Sequence, residues 1–328
     1  MVNLLPSTLK LKLAMLATLA LIIGISTLVI AIILSYLGAS LIIIGATIIL
    51  VNLLQWLIAP YIIDAIYRTR KISKSERPEL YEILERVAAK SGIKTPELRI
   101  ADIPIPNAFA YGSPLTGNRV AITSGLLNTL NLDEIEAVIG HEVGHLKHRD
   151  VQIMMFASLL PAIFYYIGYS LIWSSMYYSG RGEKRGNGGL LVLIGFLSII
   201  VYWILTLFTL YLSRLREYYA DRHSVSVVPG GAKKLALGLV KIVESTARVR
   251  VRYANLGSLS SFKALFIADP DSAINDLDYL SKYNFTRTES ELLAKYLKQR
   301  VTFAEQIAEL FSTHPNIIKR LKALLELM

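Results

Sequence analysis

Residues 131–150 read NLDEIEAVIGHEVGHLKHRD, and the rest of the chain is best understood outward from this stretch. Asn131 with Glu134 three residues on forms an Asn-led variant of the capping box, and Asp133 and Glu134 suit the positive end of a helix dipole. Ile135, Val138, Ile139 and Leu146 then continue a helical period to about residue 148. Inside that period stands His141-Glu142-Val143-Gly144-His145. Positions i and i+4 share one face of a helix, so both imidazoles can reach a single ion, while Glu142 lies beside the open coordination position, where it can take a proton from water. The chain has no cysteine, so disulfides, thiolate metal sites and a cysteine nucleophile are excluded, and any metal must rest on histidine and carboxylate.

The surroundings of this helix are those of a membrane protein. The 328 residues are 53% hydrophobic and 18% charged, against about 25% charged in soluble domains. No charged residue occurs from 13 to 63, a run of 51. A crossing helix needs about 20 apolar residues, so the run holds two spans, about 13–36 and 41–62, broken at Tyr36-Leu37-Gly38-Ala39-Ser40. A cleaved signal peptide is the weaker reading, because its apolar region would be only about 7–15 residues long. Two further charge-free runs, 151–180 and 186–213, are each long enough to cross, with Trp173, Tyr177, Tyr178, Tyr202, Trp203 and Tyr211 as candidate interfacial anchors. Lys10, Lys12, Arg68, Arg70, Lys71, Lys74, Lys147, Arg149, Arg214, Arg216 and Arg222 flank one side of these spans, against Arg181, Lys184 and Arg185 on the other. By the positive-inside rule the termini and both polar segments, 64–150 and 214–328, face the cytoplasm.

The polar segments differ in character. Residues 64–150 read as a small mixed domain, with a helix over 75–91 ended by Gly92, strand-like stretches at 98–101, 108–111 and 119–123, and a hairpin-type connector at 112–118. Residues 214–328 read as helical, with Thr288 and Glu291 as a second capping box and Pro315 at a helix start. The alternation Arg248, Arg250, Arg252 suggests one basic strand face, solvated or set against lipid head groups.

A catalytic zinc has three protein ligands and an open position. The metzincin pattern would place glycine and histidine three and six residues past His145, where this chain has His148 and Val151. His148 is therefore read as a surface group or as backing for a ligand. The third ligand must lie on the same membrane side as His141, and two crossings after Asp150 return the chain to that side at Arg214. There Glu217 and Asp221 stand at i, i+4, one placed to bind metal and one to orient a histidine, although a juxtamembrane helix with ordinary charges fits the spacing equally.

His141-Glu142-Val143-Gly144-His145, the segment from Glu217 to Asp221 and Ser312-Thr313-His314-Pro315 together resemble the HtpX-type membrane zinc metalloproteases, which are gluzincins with the CAAX prenyl endopeptidases as larger relatives. The resemblance covers essentially the whole chain. It implies a mainly α membrane protein, with four transmembrane helices and a cytoplasmic α+β gluzincin-type zinc protease domain. In that layout 1–63 and 151–213 are transmembrane hairpins, and 64–150 and 214–328 are the two halves of the protease domain. It implies one zinc per chain held by His141, His145 and Glu217, with Asp221 backing a ligand, Glu142 as the catalytic acid–base and His314 stabilising the oxyanion. Asn107, Ala108, Phe109 and Ala110 look like the family's substrate-binding edge strand, which would pair with an extended peptide by main-chain hydrogen bonds. Arg320 matches a residue near the substrate. The implied partners are polypeptides, membrane proteins above all, and the lipid bilayer of the cell membrane.

Three other functions remain in view. A CAAX-type processing endopeptidase has more spans enclosing a chamber, which four spans would not form. A transporter or scaffold with an incidental motif would carry ionisable residues inside its spans, and these have none. Nucleic-acid binding is suggested only by the net charge of +10. Segment 64–150 is neutral and 214–328 carries +6, a distribution that favours an anionic membrane face over a nucleic-acid groove. Oligomeric state is not legible in the sequence.

Overall fold

The computed structural model describes residues 41–179, 188–252 and 300–328. The expected first span at 13–36, the Thr288–Glu291 capping box and residues 180–187 lie outside them. In chain order the described elements are α1 (Leu41–Tyr67), β1 (Thr69–Lys71), α2 (Pro78–Ser91), β2 (Glu97–Ala101), β3 (Ala108–Ser113), β4 (Gly117–Thr123) and α3 (Ser124–Thr129). Then follow α4 (Leu132–Lys147), α5 (Asp150–Ser179), α6 (Gly188–Val227), α7 (Gly231–Arg252), α8 (Phe303–Leu310) and α9 (Ile317–Leu325). The described residues divide between two compact units, one drawn from Leu57–Val151 and from the described part of Arg214–Met328, the other from 41–56 and the described part of Gln152–Ser213.

In the first unit a four-stranded sheet has the order β1-β2-β4-β3, with β2 and β4 parallel and the other two pairs antiparallel. β3 is consequently an edge strand. The β3–β4 hairpin pairs as far as Ser113 with Gly117, so the strands run deeper into the 112–118 connector than its turn residues suggest. Helix α2 begins at Pro78, where a missing N–H costs nothing, and ends on Gly92 in the left-handed region at φ 67°. Apolar faces of α2, α4, α7 and α9 close one core with the inner side of the sheet, including Leu84, Val120, Val138, Leu239 and Leu321. Asp64, near the end of α1, fastens the other side: it accepts from Tyr111 Oη at 2.5 Å and from Thr69, and pairs with Arg119 at 2.5 Å and Arg99 at 3.1 Å. That network holds β3, through Tyr111, against the end of α1.

Helix α4 has the capping box its sequence announces: Glu134 N–H bonds Asn131 Oδ1 at 2.9 Å, and Asn131 N–H bonds Glu134 Oε2 at 3.1 Å. Gly140 and Gly144 lie where α4 meets α6. A Cβ on Gly140 would come within 3.0 Å of Ser224 Oγ and of Val228, and one on Gly144 within 3.1 Å of His223 Cβ and 3.3 Å of Ala220 Cα. Two glycines one turn apart on α4 thus face Ala220 and Ser224 one turn apart on α6, and Ser224 Oγ donates to Ala137 O at 2.6 Å. Small side chains let the two backbones approach closely.

In the second unit, stretches of α5 and α6 pack around Phe164 and Leu205. They cross at another pair of glycines, since a Cβ on Gly168 would lie 2.8 Å from Gly195 O. Tyr166, Trp173, Phe196 and Trp203 project outward and exposed. Among the described residues two helical stretches, Asp150–Trp173 and Gly188–Val227, are long and apolar enough to cross a membrane. At 1.5 Å per residue the 40 residues of α6 extend about 60 Å, roughly twice a hydrocarbon core, so the helix continues well past any span.

Two expectations are corrected. Arg248, Arg250 and Arg252 lie in the helix α7, so their alternation marks no strand face. Local alternation loses there to the upstream face of the helix, which buries Leu235, Leu239, Val243 and Ala247. Pro315 precedes the N-cap Asn316 of α9 and stands outside its first turn.

Gly144→Val should lower the apparent Tm of the detergent-solubilised protein, at a cost of about 1–3 kcal/mol for overpacking. Gly189→Ala, with nothing within 4 Å of the added carbon, should leave it unchanged. Equal Tm values for both variants would mean that α4 and α6 are not in close contact.

Candidate active site

His141 and His145 leave α4 on one face and Glu217 leaves α6 towards them. The imidazole Nε2 atoms are 3.1 Å apart, and Glu217 approaches each ring to 3.5 Å, with Oε2 at His141 and Oε1 at His145. These three groups form the set that could hold a metal ion among the described residues. The geometry fits one: ligands at 2.0–2.1 Å in a tetrahedron stand about 3.3 Å from each other. The chemistry of the donors fits as well. His141 Nδ1 lies 2.8 Å from Asp221 Oδ1 and His145 Nδ1 is 2.5 Å from Asp150 Oδ2. A carboxylate at each Nδ1 favours the proton there and turns both Nε2 lone pairs towards the same point. Glu217 Oε2 is buried beside them and accepts no hydrogen bond from the described residues.

Helix α6 supplies both carboxylates from successive turns, and α9 supplies their counter-charge. Arg320, 1% exposed, grips Asp221 with Nε at 2.9 Å and Nη2 at 2.6 Å, while its Nη1 lies 3.3 Å from Glu217 Oε2. Burial would raise both carboxylates, but Arg320 and His141 outweigh it for Asp221, and His314, His141 and Arg320 for Glu217, which stays ionised well below the usual range. Burial also disfavours charge on the histidines. For His141 the two carboxylates facing it, Asp221 and Glu217, win and raise the pKa to about 9; for His145 burial and the neighbouring His141 lower it to about 4. Without metal, His141 is therefore the charged imidazolium at neutral pH and His145 is neutral, so the His141 Nε2–H can be shared with His145 Nε2.

The remaining residues sit as follows. Glu142 is buried, its carboxyl is raised by burial, and it accepts a hydrogen bond from the Ala110 backbone N–H. Asn107 pairs with Thr123 of β4: its N–H bonds Thr123 Oγ1 at 2.8 Å and its C=O accepts Thr123 N–H at 2.9 Å. By antiparallel alternation Phe109 also faces β4, and the backbone groups of Ala108 and Ala110 face the open edge towards Glu142. His314 Nε2 lies 3.7 Å from Glu217 Oε1, and its Nδ1 is 2.9 Å from Thr313 Oγ1. Arg320, expected near the substrate, has its guanidinium on Asp221 and Glu217. His148 stacks at 4.2 Å on Tyr219, with His223 at 5.3 Å.

Three residues escaped the sequence reading. Asp150 holds His145, and Arg216 forms a buried ion pair with Asp150. Arg214 Nη1 donates to the carbonyls of Glu309 at 2.6 Å and Ser312 at 2.7 Å, fixing the segment that carries His314. Each looks like an ordinary charge at a span end until the chain is folded. The carboxylate five residues past His145 was the available signal for the first.

Asp150→Asn should weaken metal affinity about 10–100-fold in a chelator competition, as loss of a partner to a ligating histidine does. An unchanged affinity would remove Asp150 from the site. Since metal-free His141 carries a proton below about pH 9, metal uptake at neutral pH should release it, and affinity should rise with pH towards that value. Calorimetry in buffers of different ionisation enthalpy reads the released proton directly; buffer-independent heats would contradict the assignment.

Comparison with known proteins agrees with this site. The model of "Peptidase family M48" matches residues 74–328. A "Protease HtpX homolog" of Thermoplasma acidophilum is 39% identical over 282 residues, 84% of this chain and 82% of that protein. Another, from Aeropyrum pernix, is 39% identical over 277 residues, 83% and 82% of the two chains. The fold is similar to the crystal structure of S. mikatae Ste24p, with a TM-score of 0.52 at 20% identity, covering 97% of this chain and 67% of that one. The chain belongs to peptidase family M48, as a membrane-associated zinc metalloprotease of the HtpX type.

Proposed function

We propose that the chain is a multi-pass zinc endopeptidase with its active site facing the cytoplasm, cleaving misfolded or damaged membrane proteins. One zinc per chain would be held by His141, His145 and Glu217, with Asp221 and Asp150 orienting the two histidines. The observation that carries this reading is the convergence of both imidazoles and the Glu217 carboxylate within 3.5 Å, with Glu142 on the same helix.

When bound there, zinc supplies a Lewis acid that acidifies water and polarises a carbonyl. Glu142 takes the proton of the attacking water and passes it to the leaving amine. Its carboxyl lies beside the edge strand, so a peptide added to β3 through Ala108 and Ala110 brings its scissile bond to the same place. With the Thr313 hydroxyl as donor to His314 Nδ1, the ring would carry its proton on Nε2, where it meets the developing oxyanion. Arg320 keeps Asp221 and Glu217 ionised and fixed.

The reading of four spans rests on the uncharged runs and on the outward aromatic residues of α5 and α6. The two spans between the halves 64–150 and 214–328 would return the chain to one side of the membrane. The cytoplasmic orientation rests on eleven flanking Lys and Arg on the active-site side against three opposite. The choice of membrane-protein substrates is supported by the short chain distance between runs and site, since Asp150 directly precedes 151–180 and Glu217 lies four residues past 186–213.

Glu142→Gln should bind zinc normally and lose cleavage of casein and of a membrane substrate by about 100-fold or more. His141→Ala and Glu217→Ala should lose both metal and activity. Normal turnover by Glu142→Gln would overturn the mechanism, and unchanged zinc content in Glu217→Ala would place the third ligand elsewhere.

A further inference from the structure

Helix α8 is built inside out. Its capping box is complete, with Glu305 N–H bonded to Thr302 Oγ1 and Thr302 N–H to Glu305 Oε2, so the helix is locally specified. At 100° per residue Phe303, Ile307, Leu310 and Phe311 fall on one contiguous face. Their exposures are 77%, 44%, 51% and 59%, and no residue of the helix is buried. The half-covered residues are the polar ones: Glu305, and Glu309, which accepts from Asn316 N–H at 3.1 Å and pairs with Lys319. A lone exposed leucine needs no explanation, but four large apolar side chains in one stripe, on a helix turning its acids inward, do.

What covers the stripe follows from how the helix is held. Arg214, itself buried, donates through Nη1 to the carbonyls of Glu309, Leu310 and Ser312. It is also the first charged residue after the uncharged run 186–213 and belongs to the same continuous helix, α6. The C-terminal end of α8 is thereby tied to the residue that directly follows that uncharged run in the chain. We propose that the apolar face of α8 inserts shallowly into the lipid leaflet on the active-site side. The occupant is the acyl boundary of that leaflet. The attachment depends on apolar area, because the stripe carries no charge and the polar side of the helix holds two glutamates. The segment from Ser312 to His314 follows α8 directly, so lipid contact braces the loop that presents His314. The active site then works on peptide bonds close to the membrane surface. This inference rests on the reading of 186–213 as a transmembrane span.

The chain has no cysteine, so single cysteines report single positions. Phe303→Cys, Ile307→Cys and Phe311→Cys, with Glu305→Cys on the polar side and Leu207→Cys within the span, would be labelled with bimane in the full chain. Each would be reconstituted into phosphatidylcholine nanodiscs carrying lipid-borne nitroxide near the head groups. We expect Phe303, Ile307 and Phe311 to be quenched about threefold more than Glu305, whatever the salt concentration. Solvent-like emission at all three positions would overturn the proposal. So would blue-shifted emission without quenching, which would mean that another protein segment or a second copy of the chain covers the face. If Leu207→Cys escaped quenching by nitroxides at every depth, the span reading itself would fall, and the proposal with it.

Discussion

The structure depends on how closely α4 and α6 can run. His141 and His145 are on one helix and Glu217 on the other, and an ion with ligands at about 2 Å tolerates little slack between them. Gly140 and Gly144, facing Ala220 and Ser224, remove the side chains that would hold the helices apart. The HExxH pattern thus does two tasks at once. Its histidines and glutamate carry the chemistry, and Gly144 inside it sets the helix separation. The sheet supports the same geometry from another direction, since β3 passes beside α4 and gives Glu142 the Ala110 N–H.

Such a cluster would be unstable if its charges were unbalanced. Glu217, Asp221 and Asp150 are all buried, and each faces a partner: Arg320 for the first two, Arg216 for the third, with the imidazoles between. Breaking a buried pair by removing one partner costs about 3–5 kcal/mol, because it leaves a charge uncompensated. The cations come from positions far apart in sequence: Arg216 on α6 beside the ligand and Arg320 on α9 near the C-terminus. α9, a short helix, therefore belongs to the metal site, and the carboxylates it clamps are the ones that keep His141 charged in the absence of metal.

Much of this was legible because it is local. The capping box at Asn131, the two-histidine spacing, the Gly92 stop and the strands near 98–101, 108–111 and 119–123 all follow from short-range rules. What stayed hidden depends on partners distant in sequence. β1 is three residues, Thr69–Lys71, with too little pattern to read, and exists through its pairing with Arg99–Ala101. Asp150, Arg214 and Arg216 resemble span-flanking charges until folding brings them to His145 and to the loop before His314. The alternating arginines of α7 mislead because a local pattern competes with a buried face established a dozen residues earlier. For α8 the sequence shows a helix, but that its apolar stripe is left uncovered by the described residues depends on the tertiary fold.

The central claim is that two imidazoles and one carboxylate, drawn from two helices, make up the protein's share of the metal shell. Zinc K-edge X-ray absorption on the zinc-loaded full chain tests it most directly. The account predicts a shell of about four light atoms near 2.0–2.1 Å, with outer-shell scattering from two imidazoles and no more. His314 Nε2 lies only 3.7 Å from Glu217 and would be the nearest intruder. Scattering from three imidazoles would contradict the assignment of Glu217 and of His314 together.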